Sequence, residues 1–239
     1  MQLSGKVVEI ASLEREQKRE MFSLMSAYFC NMDEKRFARD LDEKKWAIIL
    51  SDPACGKIKG FSTLMLIEHY IDGEKIKVLY SGDTIIDRKY WGENELVKTW
   101  GSLVSGLVSE NRGVKLFWFL IAMGFRTYRF LPAYFYEYYP SCDKETPLEI
   151  KKYMDIFAGM KFGNDYDPSL GLIRRKLDAE YLVRGVSDVT GAKLNNRYIK
   201  FFSERNPGYA RGDELVCFAS LNPGNAKPRL RNILLGQAK

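Results

Sequence analysis

The 239-residue chain is short of the residues that several kinds of site require. It has one histidine, His69, and four cysteines, Cys30, Cys55, Cys142 and Cys217, of which none forms a Cys-x-x-Cys pair. Structural zinc sites are built from closely spaced Cys and His ligands, so we expect no metal site. Scattered cysteines are also typical of reduced thiols, and we therefore expect a cytoplasmic protein.

Long apolar runs are lacking as well. The apolar run from Leu116 to Phe125 stops at Arg126, well short of the roughly 18 residues that read as a membrane span. The first twenty residues soon turn charged, and we expect no secretory signal. With 46% hydrophobic and 28% charged residues, the composition is that of a globular chain that can bury a sizeable core.

Acidic residues are scarce in the last part of the chain. The net charge is +6, and residues 1–140 carry 20 Lys and Arg against 19 Asp and Glu, whereas residues 141–239 carry 17 against 12. The segment 227–239 has four positive charges and no acid. Such a surface favours nucleic acid, an anionic membrane, a phosphate-bearing cofactor or an acidic protein, although a solvated tail has the same composition.

The hydrophobic patterns predict strands and helices in alternation. Predicted strands are 6–11, 46–51, 58–71, 76–86 and 114–122; predicted helices are 13–29, 33–42 with Asp33 as its cap, one with an apolar stripe from Leu96 to Val108, and one in the aromatic segment after Phe125. Asp72-Gly73 marks a hairpin turn. This order predicts a mixed α/β sheet flanked by helices.

A candidate phosphate loop lies between the strand 76–86 and the next helix. Gly92 allows an unusual backbone there, and Arg88 and Lys89 stand beside it. Helix N-termini present unpaired N–H groups that bind phosphate. An ordinary strand-to-helix turn is the alternative, because Glu93 and Glu95 also suit a helix N-terminus.

The order of elements resembles that of the GNAT superfamily of N-acyltransferases over about residues 7–140. Members of that superfamily bind the pyrophosphate of acyl-CoA with a pattern near [Q/R]-x-x-G-x-[G/A]. Lys89-Tyr90-Trp91-Gly92-Glu93-Asn94 has this spacing and the central glycine, with Lys and Asn replacing the residues at the two ends. The hairpin segment 56–66 is similar to that of the family too. The resemblance implies a GNAT-like central twisted sheet in residues 1–140, which would bind the acyl donor.

The resemblance also implies a direct attack of an amine on the thioester of acyl-CoA, or of an acyl carrier protein, without a covalent enzyme intermediate. The implied donor-binding residues are Ile85, Ile86, Asp87, Arg88, Lys89, Gly92, Glu93 and Asn94, of which the backbone N–H groups from Ile85 to Asp87 would polarise the carbonyl. Asp83 is the unusual residue in the strand, on the predicted face of Leu79 and Ser81. It is either the general base or amine binder, or a structural carboxylate bonded to backbone N–H groups or Arg126.

The aromatic segment would supply the acid that protonates the leaving thiolate. Eight of the fifteen residues from Phe125 to Tyr139 are aromatic, and most are expected to pack in the core. The candidates are Tyr128 and Tyr134, with Tyr134 preferred because it lies deeper in the implied helix. Pro132 would kink or restart that helix. The aromatic residues also suggest an apolar pocket that suits a longer acyl chain.

Residues 141–239 form an extension that we expect to complete the sheet and to shape the acceptor side. A helix is predicted at 146–160, a strand at 170–178, a helix at 194–208 and a strand at 213–222. The expected partners are a small amine and, if the donor is not CoA, an acidic acyl carrier protein, with no nucleic acid and at most peripheral membrane contact through the basic segment 229–239. The rival hypothesis is a basic RNA-binding protein without catalysis.

Overall fold

The protein has one large sheet with helices on both faces. The structure, a computed structural model, describes residues 2–176 and 178–235. The strands are β1 (Ser4–Glu9), β2 (Phe29–Cys30), β3 (Trp46–Ser51), β4 (Ile58–Ile71), β5 (Glu74–Ile86), β6 (Lys115–Ala122), β7 (Tyr166–Asp167), β8 (Leu172–Ile173), β9 (Tyr181–Leu182) and β10 (Glu214–Ser220). The helices are α1 (Arg15–Ser26), α2 (Glu34–Asp42), α3 (Glu95–Glu110), α4 (Phe125–Tyr128), α5 (Phe130–Tyr134), α6 (Leu148–Phe162), α7 (Arg197–Arg205) and α8 (Pro228–Leu234).

The sheet order confirms the predicted mixed α/β fold. The large sheet runs β1-β3-β4-β5-β6-β10-β8-β7, and β2 pairs with β9 separately. All neighbours in the large sheet are antiparallel except β5 and β6, which run parallel and are joined through α3. Because β10 pairs with β6, the last third of the chain completes the sheet, as predicted.

Both faces of the sheet are covered, which explains the uninterrupted apolar pattern of β6. Leu116, Trp118 and Leu120 pack in the core on the α3 face, whereas Phe117 and Phe119 pack on the opposite face against α6. On that opposite face, α1 and α2 cover the other half of the sheet, where Phe37 and Leu41 are buried beside β3 and β4. The Asp33 side chain caps α2 by accepting a hydrogen bond from the Arg36 N–H, as predicted.

The basic segment at the chain end packs its apolar residues on α3. Leu230 and Leu234 are buried in the core of the α3 face. Ile233 lies so close to Gly101 that a Cβ there would be 2.5 Å from its side chain. These residues therefore stabilise the fold rather than forming an apolar surface for a membrane. The last four residues of the segment, 236–239, lie outside the described residues.

The aromatic segment forms two short helices, α4 and α5, instead of the single helix expected. The helix breaks around Arg129, and α5 contains Pro132, whose missing N–H does not support a continuing helix. The chain is then extended, with a bridge from Tyr139 to Phe218. Most of the aromatic side chains are buried, as expected, and Tyr136 is the exposed one, at 58%.

Two elements predicted in the last third of the chain have different bounds in the structure. The strand predicted at 170–178 is only Leu172–Ile173, and the helix predicted from Thr146 begins after Pro147 at Leu148. Within the described part of the chain, no helix is both long enough and apolar enough to cross a bilayer.

Candidate active site

The parallel strands β5 and β6 separate at one end. They are paired from Ile76 and Lys115 to Ser81 and Leu120, but β5 continues to Ile86 without its neighbour. A cavity of about 700 Å³ lies in the gap. We call it the main cavity. Because its walls come from β5, β6, α2, the β5–α3 loop and the last third of the chain, the gap brings distant segments together.

A β-bulge in β5 changes which residues face which side of the sheet. Ser62 pairs with Thr84 and Leu64 pairs with Ser81, so that Gly82 and Asp83 lie opposite Thr63 alone. The extra residue reverses the alternation of side chains along the strand. As a result, Asp83 does not share the face of Leu79 and Ser81 that a regular strand predicts.

The reversed alternation is visible on both sides of the sheet. Leu79, before the bulge, and Ile86, after it, pack on the α3 face, although a regular strand would place them on opposite faces. Ile85 packs with α1 and α2. At Gly82 a Cβ would lie 2.7 Å from the Thr63 hydroxyl and 2.8 Å from the Lys44 side chain, so the bulge has room only for glycine.

One end of the main cavity is formed by the loop Trp91–Asn94, and we call it the loop end. Gly92 has a φ of +97°, which favours glycine, and no atom lies within 4 Å of where its Cβ would be. The Glu93 and Glu95 carboxylates accept hydrogen bonds from the backbone N–H groups of Leu3 and Gly5. Asn94 makes no side-chain cap, so the N–H groups at the start of α3 have no side-chain acceptor from this position.

Only some of the predicted carbonyl-polarising N–H groups face the gap. The Asp87 N–H donates to the Lys59 carbonyl at 2.7 Å. Because N–H groups alternate between the two edges of a strand, the Ile85 N–H also points toward β4, whereas those of Ile86 and Thr84 point toward the gap. The Asp87 carboxylate accepts from the Lys89 N–H and does not line the cavity.

A group of exposed arginines surrounds the loop end. The Arg126 guanidinium stacks on the Trp91 ring at 3.9 Å, and Arg88 lies 5.2 Å from the same ring. Burial, together with the nearby charges of Arg129 and Arg88, lowers the pKa of Arg126. In the part of the chain that the structure describes, Arg88, Lys89, Arg126 and Arg129 form no salt bridge. Their positive charge is therefore available to an anion outside the protein.

The other end of the main cavity, which we call the carboxylate end, is lined by five acids from five different segments: Asp40, Asp83, Asp165, Glu180 and Glu214. Three of them have cationic partners. Asp40 lies 2.7 Å from the buried Lys44 ammonium, Glu180 lies 3.1 Å from Arg36, and Glu214 accepts two hydrogen bonds from Arg175. These pairs fix the wall of the cavity in place.

Asp83 and Asp165 are the two acids of this end without a cationic partner among the described residues, and we single out Asp83 because it lies on β5, beside the gap. Among residues 2–176 and 178–235, its carboxylate has no hydrogen-bond donor and no salt-bridge partner, and Arg126 instead donates to the Val186 carbonyl. Burial, with a further contribution from the nearby charge of Asp40, raises the pKa of Asp83 to about 7, although Lys44 opposes the shift. A half-buried carboxylate that titrates near neutral pH has the properties of a general base.

The two candidate tyrosines lie in different environments. Tyr128 is fully buried, its hydroxyl donates to the Pro140 carbonyl at 2.9 Å, and it does not line the main cavity. Burial raises its pKa far above the usual range. Tyr134 lines the main cavity beside Phe130, on which its ring stacks. Tyr134 therefore reaches the site and Tyr128 does not.

The structure brings together most of the candidate residues from the sequence and adds others. Ile85, Ile86, Asp83, Gly92, Glu93, Asn94 and Tyr134 line the main cavity; Asp87, Arg88, Lys89 and Tyr128 do not. Sequence reasoning missed Asp40, Glu180 and the Glu214–Arg175 pair. Glu214 alone carried a signal, because an acid at the start of an otherwise apolar strand is unusual in a buried position. No group of three His, Cys, Asp or Glu side chains among the described residues is arranged to hold a metal ion.

No family model and no curated protein matches the chain in sequence. The chain is similar in structure to a conserved protein of unknown function from Enterococcus faecalis V583, a probable N-acyltransferase, with 15% identity and a TM-score of 0.42 over 56% of this chain and 33% of the other. It is similar to a GNAT family N-acetyltransferase from Escherichia coli in complex with CoA, with 13% identity and a TM-score of 0.36 over 51% of this chain and 64% of the other.

A third similar structure is glucosamine-6-phosphate N-acetyltransferase from Arabidopsis thaliana, with 18% identity and a TM-score of 0.37 over 49% of this chain and 81% of that one. The aligned part thus spans less than two thirds of each of the two bacterial proteins. The similarity concerns the fold alone. Two of these three structures are N-acetyltransferases by name.

Proposed function

We propose that the protein is an N-acyltransferase that moves an acyl group from the thioester of CoA to a small amine by direct attack. One observation carries the proposal: the gap between β5 and β6 holds a cavity with a helix N-terminus at one end and, at the other, the carboxylate of Asp83, which has no partner among the described residues. The loop end suits the phosphates of the donor, and the carboxylate end suits a cationic amine.

The donor would lie along the open edge of β5. Its pyrophosphate would accept hydrogen bonds from the start of α3, where Gly92 lets the backbone approach closely. The amide groups of the pantetheine arm would pair with the gap-facing backbone at Ile86, in the place that β6 has left. The N–H of Thr84, one step further into the gap and next to Asp83, would then polarise the thioester carbonyl.

The chemical step needs one base and one acid. The amine nitrogen forms a bond to the thioester carbon, and Asp83 accepts the proton that the amine loses. The C–S bond then breaks, and the thiolate of CoA takes a proton from the Tyr134 hydroxyl or from water. The paired carboxylates Asp40, Glu180 and Glu214 hold the amine side of the cavity in shape and contribute negative potential.

The exposed cations beside the loop end could bind either of two donors, CoA or an acyl carrier protein. Arg88, Lys89, Arg126 and Arg129 would meet either the 3′-phosphate of CoA or the acidic surface of an acyl carrier protein. Both donors end in the same pantetheine arm, so the main cavity does not distinguish them. We propose CoA as the donor and treat a carrier protein as an outcome of the test.

The proposal is tested by the stability of the wild-type protein in the presence of each ligand. We expect CoA and acyl-CoA at a hundred times their Kd to add about 2.7 kcal/mol to the free energy of unfolding, which raises the Tm by several degrees. Mixing hexanoyl-CoA with a panel of amines and measuring free thiol would then identify the acceptor.

Two results would change or overturn the proposal. A shift with an acylated carrier protein and none with any CoA species would replace CoA as the donor. The absence of any shift with either donor, together with tight and salt-dependent binding of single-stranded RNA, would sink the acyltransferase proposal in favour of nucleic-acid binding.

A further inference from the structure

A second, smaller pocket adjoins the main cavity on the α3 face of the sheet. We call it the side pocket. Its volume is about 50 Å³, and its lining is mostly apolar. Gly82, Thr84, Val97 and Tyr134 belong to the walls of both spaces, so the two meet at the point where β5 and β6 separate.

The shared wall places the side pocket next to the proposed reaction centre. Thr84 presents its N–H to the gap, and Tyr134 is the proposed acid, so a thioester carbonyl held between them would lie at the opening of the side pocket. The acyl chain attached to that carbonyl would point away from the charged carboxylate end. Transfer of an apolar chain from water into the side pocket would be favourable.

The far wall of the side pocket is closed by aromatic residues that do not line the main cavity. Trp118 packs between Trp100 at 4.7 Å and Phe135 at 5.8 Å between ring centroids. The Trp118 Nε1–H donates to the Ser81 hydroxyl at 2.8 Å, which fixes the ring. All three rings are buried in the core, so this wall resists displacement and limits the length of any chain that enters.

We propose that the natural donor carries an unbranched apolar acyl chain of roughly six carbons rather than an acetyl group; this inference rests on the proposed function. A single water needs about 10–15 Å³ of such space, so a pocket of about 50 Å³ holds roughly four groups of that size. Four methylene or methyl groups beyond the carbonyl and its neighbouring carbon make a hexanoyl chain. A palmitoyl chain would not fit in the side pocket.

A chain-length series of acyl-CoA thioesters tests the proposal by calorimetric titration of the full-length protein. From acetyl-CoA to hexanoyl-CoA, we expect the affinity to rise about fourfold for each added methylene that becomes buried. The gain should stop near six to eight carbons, at the wall of Trp100 and Trp118. Free CoA is the reference, because its affinity measures the part that all ligands of the series share.

Two substitutions change the side pocket in opposite directions. Trp100→Phe removes part of the closing wall and should move the optimum to a chain about two carbons longer. Val97→Phe fills the opening and should shift the preference toward acetyl-CoA, measured as the ratio of its affinity to that of hexanoyl-CoA in the same variant. Trp46→Phe is the matched control, because this tryptophan lies on β3 and lines neither space. It should leave the series unchanged.

The results separate this inference from the function on which it rests. If wild-type protein binds acetyl-CoA as tightly as hexanoyl-CoA, the side pocket holds no acyl chain, and the proposed function still stands. If both variants keep the wild-type optimum, the inference is likewise overturned. If neither free CoA nor any acyl-CoA binds, CoA is not the donor, and the proposed function fails in the form stated here. Val97→Phe alone decides the matter if Trp100→Phe does not fold.

Discussion

At the loop end of the main cavity lie the backbone N–H groups that start α3 and exposed arginines that have no carboxylate partner in residues 2–176 and 178–235. At the carboxylate end, Asp40, Glu180 and Glu214 are held by cations, whereas Asp83 and Asp165 have none among the described residues. The loop Trp91–Asn94 is a run of consecutive residues that Arg126 joins from α4, whereas the carboxylate end is built from five separate segments. One end thus offers uncompensated positive charge and the other uncompensated acids, so the two ends suit a donor and an acceptor of opposite charge.

The comparison predicts that changes at the two ends affect different quantities. Changes at the carboxylate end should lower the rate of the chemical step without changing the affinity for the donor. Changes at the loop end should weaken the affinity for the donor and leave the rate at saturation nearly intact. The predictions below test this separation, beginning with the largest effect.

Asp83→Asn should have the largest effect on the rate. Because the amide cannot accept a proton from the amine, we expect kcat to fall by about 10²-fold to 10⁴-fold, with the Kd of CoA unchanged. In the wild-type protein, kcat/KM should rise with pH through about 7, where Asp83 loses its proton. A variant that retains most of the wild-type rate would remove Asp83 from the mechanism.

Asp83→Asn should raise the free energy of unfolding although it lowers kcat. A measured gain in stability would also show that the loss of activity does not come from misfolding. The pKa of Asp83 is raised in the folded protein to about 7, so the wild type loses stability as the pH rises from the unfolded pKa, near 4, through 7. Asn does not titrate. Relative to the wild type, we expect Asp83→Asn to gain roughly 1–2 kcal/mol in the free energy of unfolding between pH 5 and pH 8. Denaturant titrations at the two pH values measure this change.

Gly92→Glu should weaken the binding of CoA at the loop end. It forces a side chain into a φ of +97° and places a carboxylate beside the donor phosphates. Like charges at contact cost several kcal/mol, so we expect the Kd of CoA to rise by roughly 30-fold to 100-fold. Gly92→Ala separates the backbone strain from the charge and should weaken binding less.

Gly106→Glu is the matched control for the charge, because this exposed glycine lies in the middle of α3 with open space around it. It should leave CoA binding unchanged in a calorimetric titration. Equal losses of affinity in Gly92→Glu and Gly106→Glu would show that the loop end does not hold the phosphates.

Tyr134→Phe should lower kcat by about tenfold, a modest loss for a general acid because water also protonates the thiolate. The Kd of CoA should not change, since the ring remains. Tyr136→Phe is the control, because Tyr136 is 58% exposed and lies outside the main cavity. A loss of donor affinity without a loss of kcat would place Tyr134 in binding instead of proton transfer.

Arg126→Gln should have the smallest effect, a loss of about threefold in affinity for CoA at low salt that disappears at high salt. Dephospho-CoA, which lacks the 3′-phosphate, shows whether that phosphate is the group bound. Arg112→Gln, in the turn after α3, is the control. A loss that is independent of salt would mean that the stacking of Arg126 on Trp91 matters more than its charge.

The loop end was predictable from sequence because its signals are local. The glycine, the cations Arg88 and Lys89 and the start of the helix with the apolar stripe all lie within a few residues of one another in the sequence. The mixed sheet was predictable too, since its strands show either apolar alternation or, in β6, an uninterrupted apolar run. The extra residue of the bulge at Gly82 and Asp83 reversed the faces after it, and alternation alone gives no sign of a bulge.

The carboxylate end was not predictable, because it depends on contacts between segments far apart in the chain. Asp40 lies on a polar helix where an acid is ordinary, and Arg175 meets Glu214 only once β8 and β10 are paired. The choice between Tyr128 and Tyr134 depended on the break between α4 and α5, which turns the first ring into the core. The local sequence pattern does not show how the chain changes direction between α4 and α5.

The separation of β5 from β6 also has a consequence for the exchange of backbone hydrogens with solvent. The amides of Thr84 and Ile86 face a cavity, whereas those of Leu79 and Tyr80 lie within the paired part of the strands. In the free protein, the first pair should exchange with deuterium much faster than the second. A bound pantetheine arm would take the place of the missing strand and slow their exchange, so two positions on one strand would report directly on whether the site is occupied.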